Sequence, residues 1–150
     1  MTLRAVSVVA THDPDARTRD TVLLNQDARR APRGMVVGLR GTPIEFALPA
    51  GTRLGVDDRV LLDDGSAVDI VASPEPLIEV RAKDAATLAR AAWLLGDHHI
   101  PVEIHARYLR VSRTGYVSDL LRTLDVNTRQ IDAPFEPEGG AYDHMAGGDT

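Results

Sequence analysis

The sequence predicts an α+β fold in two parts, an all-β domain followed by a ferredoxin-like βαββαβ domain. Two observations support this prediction. Short apolar segments separated by turn residues fill the chain from residue 3 to residue 72, without a long helical period. Strand-like and helix-like segments then alternate from residue 77 to residue 131.

Apolar and β-branched segments predict the strands of the first half. They are Leu3–Ala10, Thr21–Leu24, Gly34–Leu39, Ile44–Leu48, Arg59–Leu62 and Ala67–Ala72. The last two flank the turn Asp63-Asp64-Gly65. Its Asp-Gly step supplies the positive φ values that a tight hairpin turn needs, so this is the clearest hairpin signal in the chain.

A proline-rich connector marks the predicted domain boundary. Each proline in Ser73-Pro74-Glu75-Pro76 removes a backbone donor and restricts the residue before it. We therefore expect a β domain over residues 1–75 and a ferredoxin-like domain over residues 76–134. From Phe135 the chain is rich in glycine and proline and poor in apolar residues, so residues 135–150 are expected to form a flexible tail.

The second half alternates strands and helices. The predicted strands are Leu77–Ala82, Val102–His105, Tyr108–Val111 and Val126–Ile131. Asp84 is a candidate cap for a helix that runs through Leu95 and stops at Gly96. Thr114 is a candidate cap for a second helix, with apolar positions at Val117, Leu120, Leu121 and Leu124.

Composition excludes several classes of protein. The chain is 43% hydrophobic and 26% charged, as globular proteins are. It has no cysteine, which excludes disulfides, thiolate zinc sites and cysteine nucleophiles. Its net charge of -5 predicts no general attraction to nucleic acid or anionic membranes. The first residues resemble neither a membrane span nor a signal peptide, so we expect a cytoplasmic protein.

Two of the five histidines stand next to each other in a constrained loop. His98 and His99 lie between the predicted helix stop Gly96 and Pro101. Neutral imidazole is a good ligand for nickel, copper and zinc. Adjacent side chains do not easily face the same way, so we expect one of the two to bind directly. The alternative is a surface loop in which the two histidines have no role, because no established ligand spacing is present.

The other three histidines carry weaker signals. His105 lies on the strand face opposite Val102 and Ile104, and we expect it to be solvated rather than a ligand. His12 lies in a polar turn and is assigned no role. His144 lies in the predicted tail, where it could complete a coordination shell and still allow rapid release.

The sequence offers little support for catalysis or RNA binding. The carboxylate pairs Asp57-Asp58 and Asp63-Asp64 lie in predicted turns, where aspartate is favoured for backbone hydrogen bonds. Neither a serine-histidine-aspartate arrangement nor a glycine-rich phosphate loop can be argued from spacing. The two strands expected at the centre of the second sheet carry only Tyr108 as an aromatic, too few for base stacking. The chain is not expected to be an enzyme.

Two segments resemble motifs of the UreE family of urease accessory proteins. Residues 133–142, Ala-Pro-Phe-Glu-Pro-Glu-Gly-Gly-Ala-Tyr, resemble the signature that closes the folded part of those proteins. Residues 94–101 are similar to the family motif Leu-Gly-Asn-Arg-His-x-Pro. Asp97 and His98 replace the usual Asn and Arg, and only His99 matches the metal histidine. The entry to the second helix lacks the usual Asp-His, and the tail lacks a polyhistidine run.

This resemblance implies a nickel metallochaperone that delivers Ni(II), as cargo, for urease maturation. It implies a homodimer in which His99 meets its symmetry mate, with His98 and His144 as further candidate ligands. The implied partners are the urease accessory GTPase and the urease apoprotein complex, and the first domain resembles a peptide-binding module. Imidazoles alone do not rank nickel above zinc or copper. Two alternatives stay open: a zinc or copper storage or buffering protein, and a protein-assembly module without essential metal.

Overall fold

The computed structural model describes residues 2–9 and 17–139. In this part of the chain there are ten β-strands and three helices, so the predicted α+β class is confirmed. The chain divides into two compact units, residues 1–73 and residues 74–150. None of the helices in the described ranges is long and apolar enough to cross a membrane.

The first unit is built on a six-stranded mixed sheet. Its elements are β1 (Leu3–Val9), β2 (Thr18–Leu24), α1 (Gln26–Arg30), β3 (Gly34–Val37), β4 (Pro43–Phe46), β5 (Arg59–Leu62) and β6 (Ala67–Ala72). The strands lie side by side in the order β2-β6-β5-β1-β4-β3. The pairs β1–β4 and β2–β6 are parallel, and the other neighbouring pairs are antiparallel.

The hairpin predicted at residues 59–72 is confirmed. Strands β5 and β6 pair antiparallel, with Leu61 opposite Ala67. Gly65 has a φ of 84°, which a residue with a side chain rarely adopts. Inward-pointing residues of the sheet form the core of this unit together with Leu54, which lies between β4 and β5. The sheet residues are Leu3, Ala5, Val22, Leu24, Ile44, Phe46, Val60, Leu62, Val68 and Ile70.

Helix α1 was not predicted from the sequence. Asn25 begins it by accepting a hydrogen bond from the N–H of Ala28 at 2.9 Å. The helix has only five residues, too few for an apolar helical period to appear in the sequence. The prediction that the first unit is all β is therefore wrong in this detail.

A buried carboxylate organises the loop after β3. Asp20 on β2 is 1% exposed, and it accepts hydrogen bonds from three backbone N–H groups, those of Thr21, Arg40 and Thr42. A Cβ at Gly38 would collide with this carboxylate, so the loop requires glycine there. Burial by itself raises the pKa of Asp20, but these hydrogen bonds, with one from the Thr42 side chain, outweigh it and lower the pKa to about 2.

The second unit is a four-stranded antiparallel sheet with two helices. Its elements are β7 (Glu75–Ala82), α2 (Ala85–Asp97), β8 (Glu103–Ile104), β9 (Leu109–Ser112), α3 (Gly115–Leu121) and β10 (Val126–Ala133). The strands lie in the order β10-β7-β9-β8. Both helices contribute to one core with the sheet: Ile78, Val80, Leu88, Ala91, Leu95, Val102, Leu109, Val111, Val117 and Leu121.

Both predicted helix caps of this unit are confirmed. Asp84 accepts a hydrogen bond from the N–H of Thr87 at 2.7 Å, and Thr114 accepts one from Val117 at 3.2 Å. Each satisfies a backbone donor that a helix start leaves without an intrahelical partner. The starts of α2 and α3 are thus fixed by the residues that the sequence indicated.

Two predicted element ends are displaced. Helix α2 continues through Gly96 to Asp97, so Gly96 is not its stop. Strand β7 begins at Glu75, inside the predicted connector, because Glu75 and Pro76 pair with the end of β10. The lack of an N–H on Pro76 is tolerated there, while its carbonyl accepts a hydrogen bond from Arg113 at 3.0 Å.

The first residues of the expected tail are packed against the second unit. Phe135 is 2% exposed. The N–H of Glu136 donates to Glu103 Oε1 at 2.7 Å, and that of Glu138 donates to the carbonyl of Val102 at 2.8 Å. The expectation of a flexible segment from Phe135 onward is therefore wrong for residues 135–138.

We predict that Asp20→Asn lowers the free energy of unfolding by about 1–3 kcal/mol at neutral pH. The folded-state pKa of Asp20 lies below the unfolded value, so the charged group stabilises the fold above about pH 4. That stabilisation, about 2 kcal/mol, is lost as pH falls through about 2. Urea unfolding followed by circular dichroism at about pH 7 and about pH 3 measures both effects.

The control is Asp57→Asn, because Asp57 is an exposed residue of a turn. It should change stability by less than about 0.5 kcal/mol. An Asp20→Asn variant as stable as the wild type at about pH 7 would contradict a structural role for this carboxylate.

Candidate metal-binding site

Helix α2 ends in a closing turn that puts His99 in a left-handed conformation. The N–H of Ile100 donates to the carbonyl of Leu95 and the N–H of His99 to that of Gly96, both at 2.9 Å. These are the two hydrogen bonds of a Schellman motif, in which glycine usually occupies the left-handed position. His99 has a φ of 58° and is the only non-glycine residue with a positive φ in the described ranges. Its conformation costs about 1 kcal/mol.

His98 precedes this turn and is held by a tyrosine of the other helix. It is the C-cap of α2, and its Nδ1 lies 2.7 Å from Tyr116 Oη, within hydrogen-bonding distance. Tyr116 is in the first turn of α3. The two ring centroids are 6.1 Å apart. The orientation of His98 is therefore fixed by a contact between the two helices.

The two histidines differ in how their ring nitrogens are used. Both side chains are exposed. No hydrogen bond or ion pair joins the His99 ring to any other described residue, whereas the Nδ1 of His98 is engaged by Tyr116. The negative end of the α2 dipole lies at this loop and favours a nearby cation. Exposed imidazoles at such a position are suited to binding a divalent metal ion.

The described residues of one chain do not supply a complete coordination shell by themselves. Among the described residues no group of three or more His, Asp or Glu side chains could hold a metal ion. A metal bound to His98 or His99 therefore needs further ligands from water, from another subunit or from outside the described ranges. His12 and the predicted ligand His144 both lie outside those ranges.

His105 is committed to a neighbouring carboxylate. Its Nε2 lies 2.6 Å from Glu103 Oε2, and its ring stacks on Tyr108 with centroids 4.3 Å apart. It is half-buried and follows directly after β8. The sequence predicted a solvated strand residue, and the contact with Glu103 was not foreseen.

Several carboxylates among the described residues are also engaged by partners. Glu79 is 4% exposed and forms ion pairs with three arginines, the first being Arg81 at 3.0 Å, followed by Arg129 and Arg110. In the predicted turns, Asp58 accepts the N–H of Gly55 at 2.6 Å. These groups stabilise the fold and are not arranged to bind a metal.

Asp64 shows the same structural use of a turn carboxylate. It accepts hydrogen bonds from Ser66 and pairs with Arg19 at 2.8 Å. The Ser66 side chain and backbone donors, followed by the charge of Arg19, lower the pKa of Asp64. This agrees with the prediction that the aspartate pairs in turns are structural.

The site and the fold together define a class: an α+β protein with an exposed histidine pair at a helix end, suited to carrying a metal. Comparisons with known proteins then identify the family. Residues 75–150 match the model of the UreE urease accessory protein, C-terminal domain. The chain belongs to the UreE family of urease accessory proteins, and it is accordingly an accessory protein rather than an enzyme.

Several relatives are similar over most of the chain. The urease accessory protein UreE of Beijerinckia indica subsp. indica is 43% identical over 143 residues, which cover 93% of this chain and 81% of that protein. The protein of the same name from Rhodopseudomonas palustris strain BisB18 is 41% identical over 140 residues, 93% of this chain and 66% of that protein. The match to the one from strain HaA2 covers 57% of that protein. The chain thus spans two thirds or less of the length of these two relatives.

We predict that His99→Gly raises the free energy of unfolding by about 0.5–1 kcal/mol, because glycine adopts a positive φ without strain. His99→Ala keeps the strain and should bring no gain. Urea unfolding followed by the fluorescence of Trp93, the single tryptophan, reports on this unit because Trp93 lies in α2.

The matched control is Asp97→Gly, since Asp97 is still helical. Glycine at that position should lower stability by up to about 1 kcal/mol. A His99→Gly variant no more stable than His99→Ala would show that the left-handed conformation carries no strain.

Proposed function

We propose that this chain is a nickel metallochaperone that binds Ni(II) through His99 at a homodimer interface and delivers it for urease maturation. The observation that carries the proposal is the state of His99. A residue held at positive φ, exposed, and without a partner for its ring among the described residues does nothing evident for the fold. Strain of this kind is typical of functional positions.

The exposed aromatic side chains near the histidine loop support an interface. Trp93, one turn before the end of α2, is 68% exposed, and Tyr116, which contacts His98, is 60% exposed. Trp and Tyr side chains are enriched at the centres of protein interfaces. A two-fold symmetric dimer would bury such surface and bring two copies of His99 together, which doubles the number of ligands without any addition to the sequence.

The proposed layout has a ferredoxin-like domain as the metal-binding part. The βαββαβ order of the second unit and its sheet order β10-β7-β9-β8 support this assignment. We propose domains over residues 1–75 and 76–134, with residues 135–150 as a C-terminal segment. In that segment His144 is a candidate additional ligand.

A site whose coordination shell is partly open suits a carrier. Imidazoles from two subunits, with water or His144 in the remaining positions, hold an ion less firmly than a closed shell made only of protein side chains. The ion can then pass to the proposed recipient, the urease accessory GTPase together with the urease apoprotein in the cytoplasm. Nickel as cargo is part of this proposal and is what the resemblance to the UreE family implies, since imidazole ligands alone also bind Zn(II) and Cu(II).

We predict that wild type binds about one Ni(II) per dimer and that His99→Ala weakens this binding by more than about 100-fold. The loss of a ligand should exceed the loss of an outer partner, which costs about 10–100-fold. Calorimetric titration, with the oligomeric mass followed in parallel, measures both. The control is His105→Ala, which should bind as wild type does because His105 is engaged by Glu103.

Unchanged nickel binding in His99→Ala would contradict the proposed site. A chain that binds nickel but does not restore nickel-dependent urease activation in cells lacking their own accessory protein would be a storage protein instead. Both outcomes are distinguishable from loss of the dimer, which the mass measurement detects.

A pH dependence follows from imidazole ligation. Nickel affinity should fall from about pH 8 to about pH 5.5, since a protonated imidazole cannot bind a metal ion. Repeating the titration across this range tests the prediction. An affinity that stays constant would exclude histidine as the main ligand.

A further inference from the structure

The contact between His98 and Tyr116 has a consequence for metal binding. Imidazole binds a metal through an unprotonated nitrogen, and its second nitrogen then carries the proton. In this loop Nδ1 is the nitrogen that faces Tyr116 Oη, at 2.7 Å. The nitrogen left for a metal is Nε2, on a side chain that is exposed.

We propose that Tyr116 is a positioning residue that makes His98 a second nickel ligand in each subunit, through Nε2. This inference rests on the proposed function. A phenol oxygen can both donate and accept a hydrogen bond. When a metal binds Nε2, Nδ1–H donates to Tyr116 Oη, so the contact survives metal binding. Histidine ligands in metal sites usually make such a hydrogen bond with their other nitrogen, and it raises their basicity.

The position of Tyr116 in the fold explains why the contact is defined. Tyr116 follows the capped start of α3, where Thr114 accepts the N–H of Val117. His98 is the cap of α2, whose closing turn is fixed by the hydrogen bond from Ile100 to Leu95. Both partners are thus anchored through the backbone at helix ends, and the ring of His98 is ordered before a metal arrives. An ordered ligand loses less entropy on binding.

His105 has the opposite arrangement, and this makes it a poor metal ligand. In His105 it is Nε2, the outer nitrogen, that meets a partner, the carboxylate of Glu103 at 2.6 Å. Its ring is stacked on Tyr108. A metal would have to displace a carboxylate partner to reach Nε2. Each of the two histidines contacts a tyrosine, but Nε2 is left for a metal in His98 and faces Glu103 in His105.

The test is Tyr116→Phe, which removes only the hydroxyl. We expect nickel affinity to fall by about 10–100-fold with an unchanged dimer mass. Long-range ¹H–¹⁵N NMR spectra of the nickel-free protein should show a change in the tautomer populations of His98. The matched control is Tyr108→Phe, which leaves the stacking partner of His105 in place and should alter neither measurement.

A double-mutant cycle separates positioning from a general effect on the surface. His98→Ala should weaken nickel binding, and Tyr116→Phe should add nothing in the His98→Ala background. An unchanged affinity in Tyr116→Phe, or a loss of the same size in both backgrounds, would overturn the proposal. Absence of nickel binding by wild type would overturn the proposed function itself. If His99→Ala lost nickel binding while His98→Ala bound nickel as wild type does, the proposed function would stand and the role of His98 would be overturned.

Discussion

The closing turn of α2 satisfies the last carbonyls of the helix and also presents two histidines to the solvent. Ile100 meets the first demand, because its N–H reaches Leu95 and its side chain packs against the same core that contains Leu95. The chain can reverse in this way only if the residue before Ile100 takes a positive φ. A histidine at that position exchanges some stability for a side chain whose direction the backbone fixes.

Local signals predicted most of the fold. The caps Asp84 and Thr114 and the turn at Gly65 act over a few residues, so the sequence contains all the information they need. Features that depend on distant partners were missed. Phe135 is buried and the segment after it is held by Glu103, a residue far away in the chain. Helix α1 was missed because five residues are too few for a periodic pattern.

The candidate site was predictable in part. The residue types and the loop between a helix end and a proline suggested His98 and His99, and the family resemblance selected His99. The left-handed conformation of His99 and the helix extension to Asp97 were not predictable. Glycine usually occupies the left-handed position after a helix, so the sequence indicated Gly96 as the stop. Nor was Tyr116, since its contact with His98 requires the relative placement of two helices.

The way polar groups are used separates the histidine loop from the rest of the described chain. Asp20 and Glu79 are buried and fully engaged by donors within their own units, since leaving a buried charge without partners is costly. At the loop, His99 has no partner for its ring among the described residues, and His98 has one that occupies a single nitrogen. An exposed imidazole nitrogen without a partner in the protein still makes hydrogen bonds to water, so leaving it unpaired costs the fold little free energy. The proposed carrier role requires side chains of this kind, because the fold of a carrier must be stable both before the ion binds and after it has left.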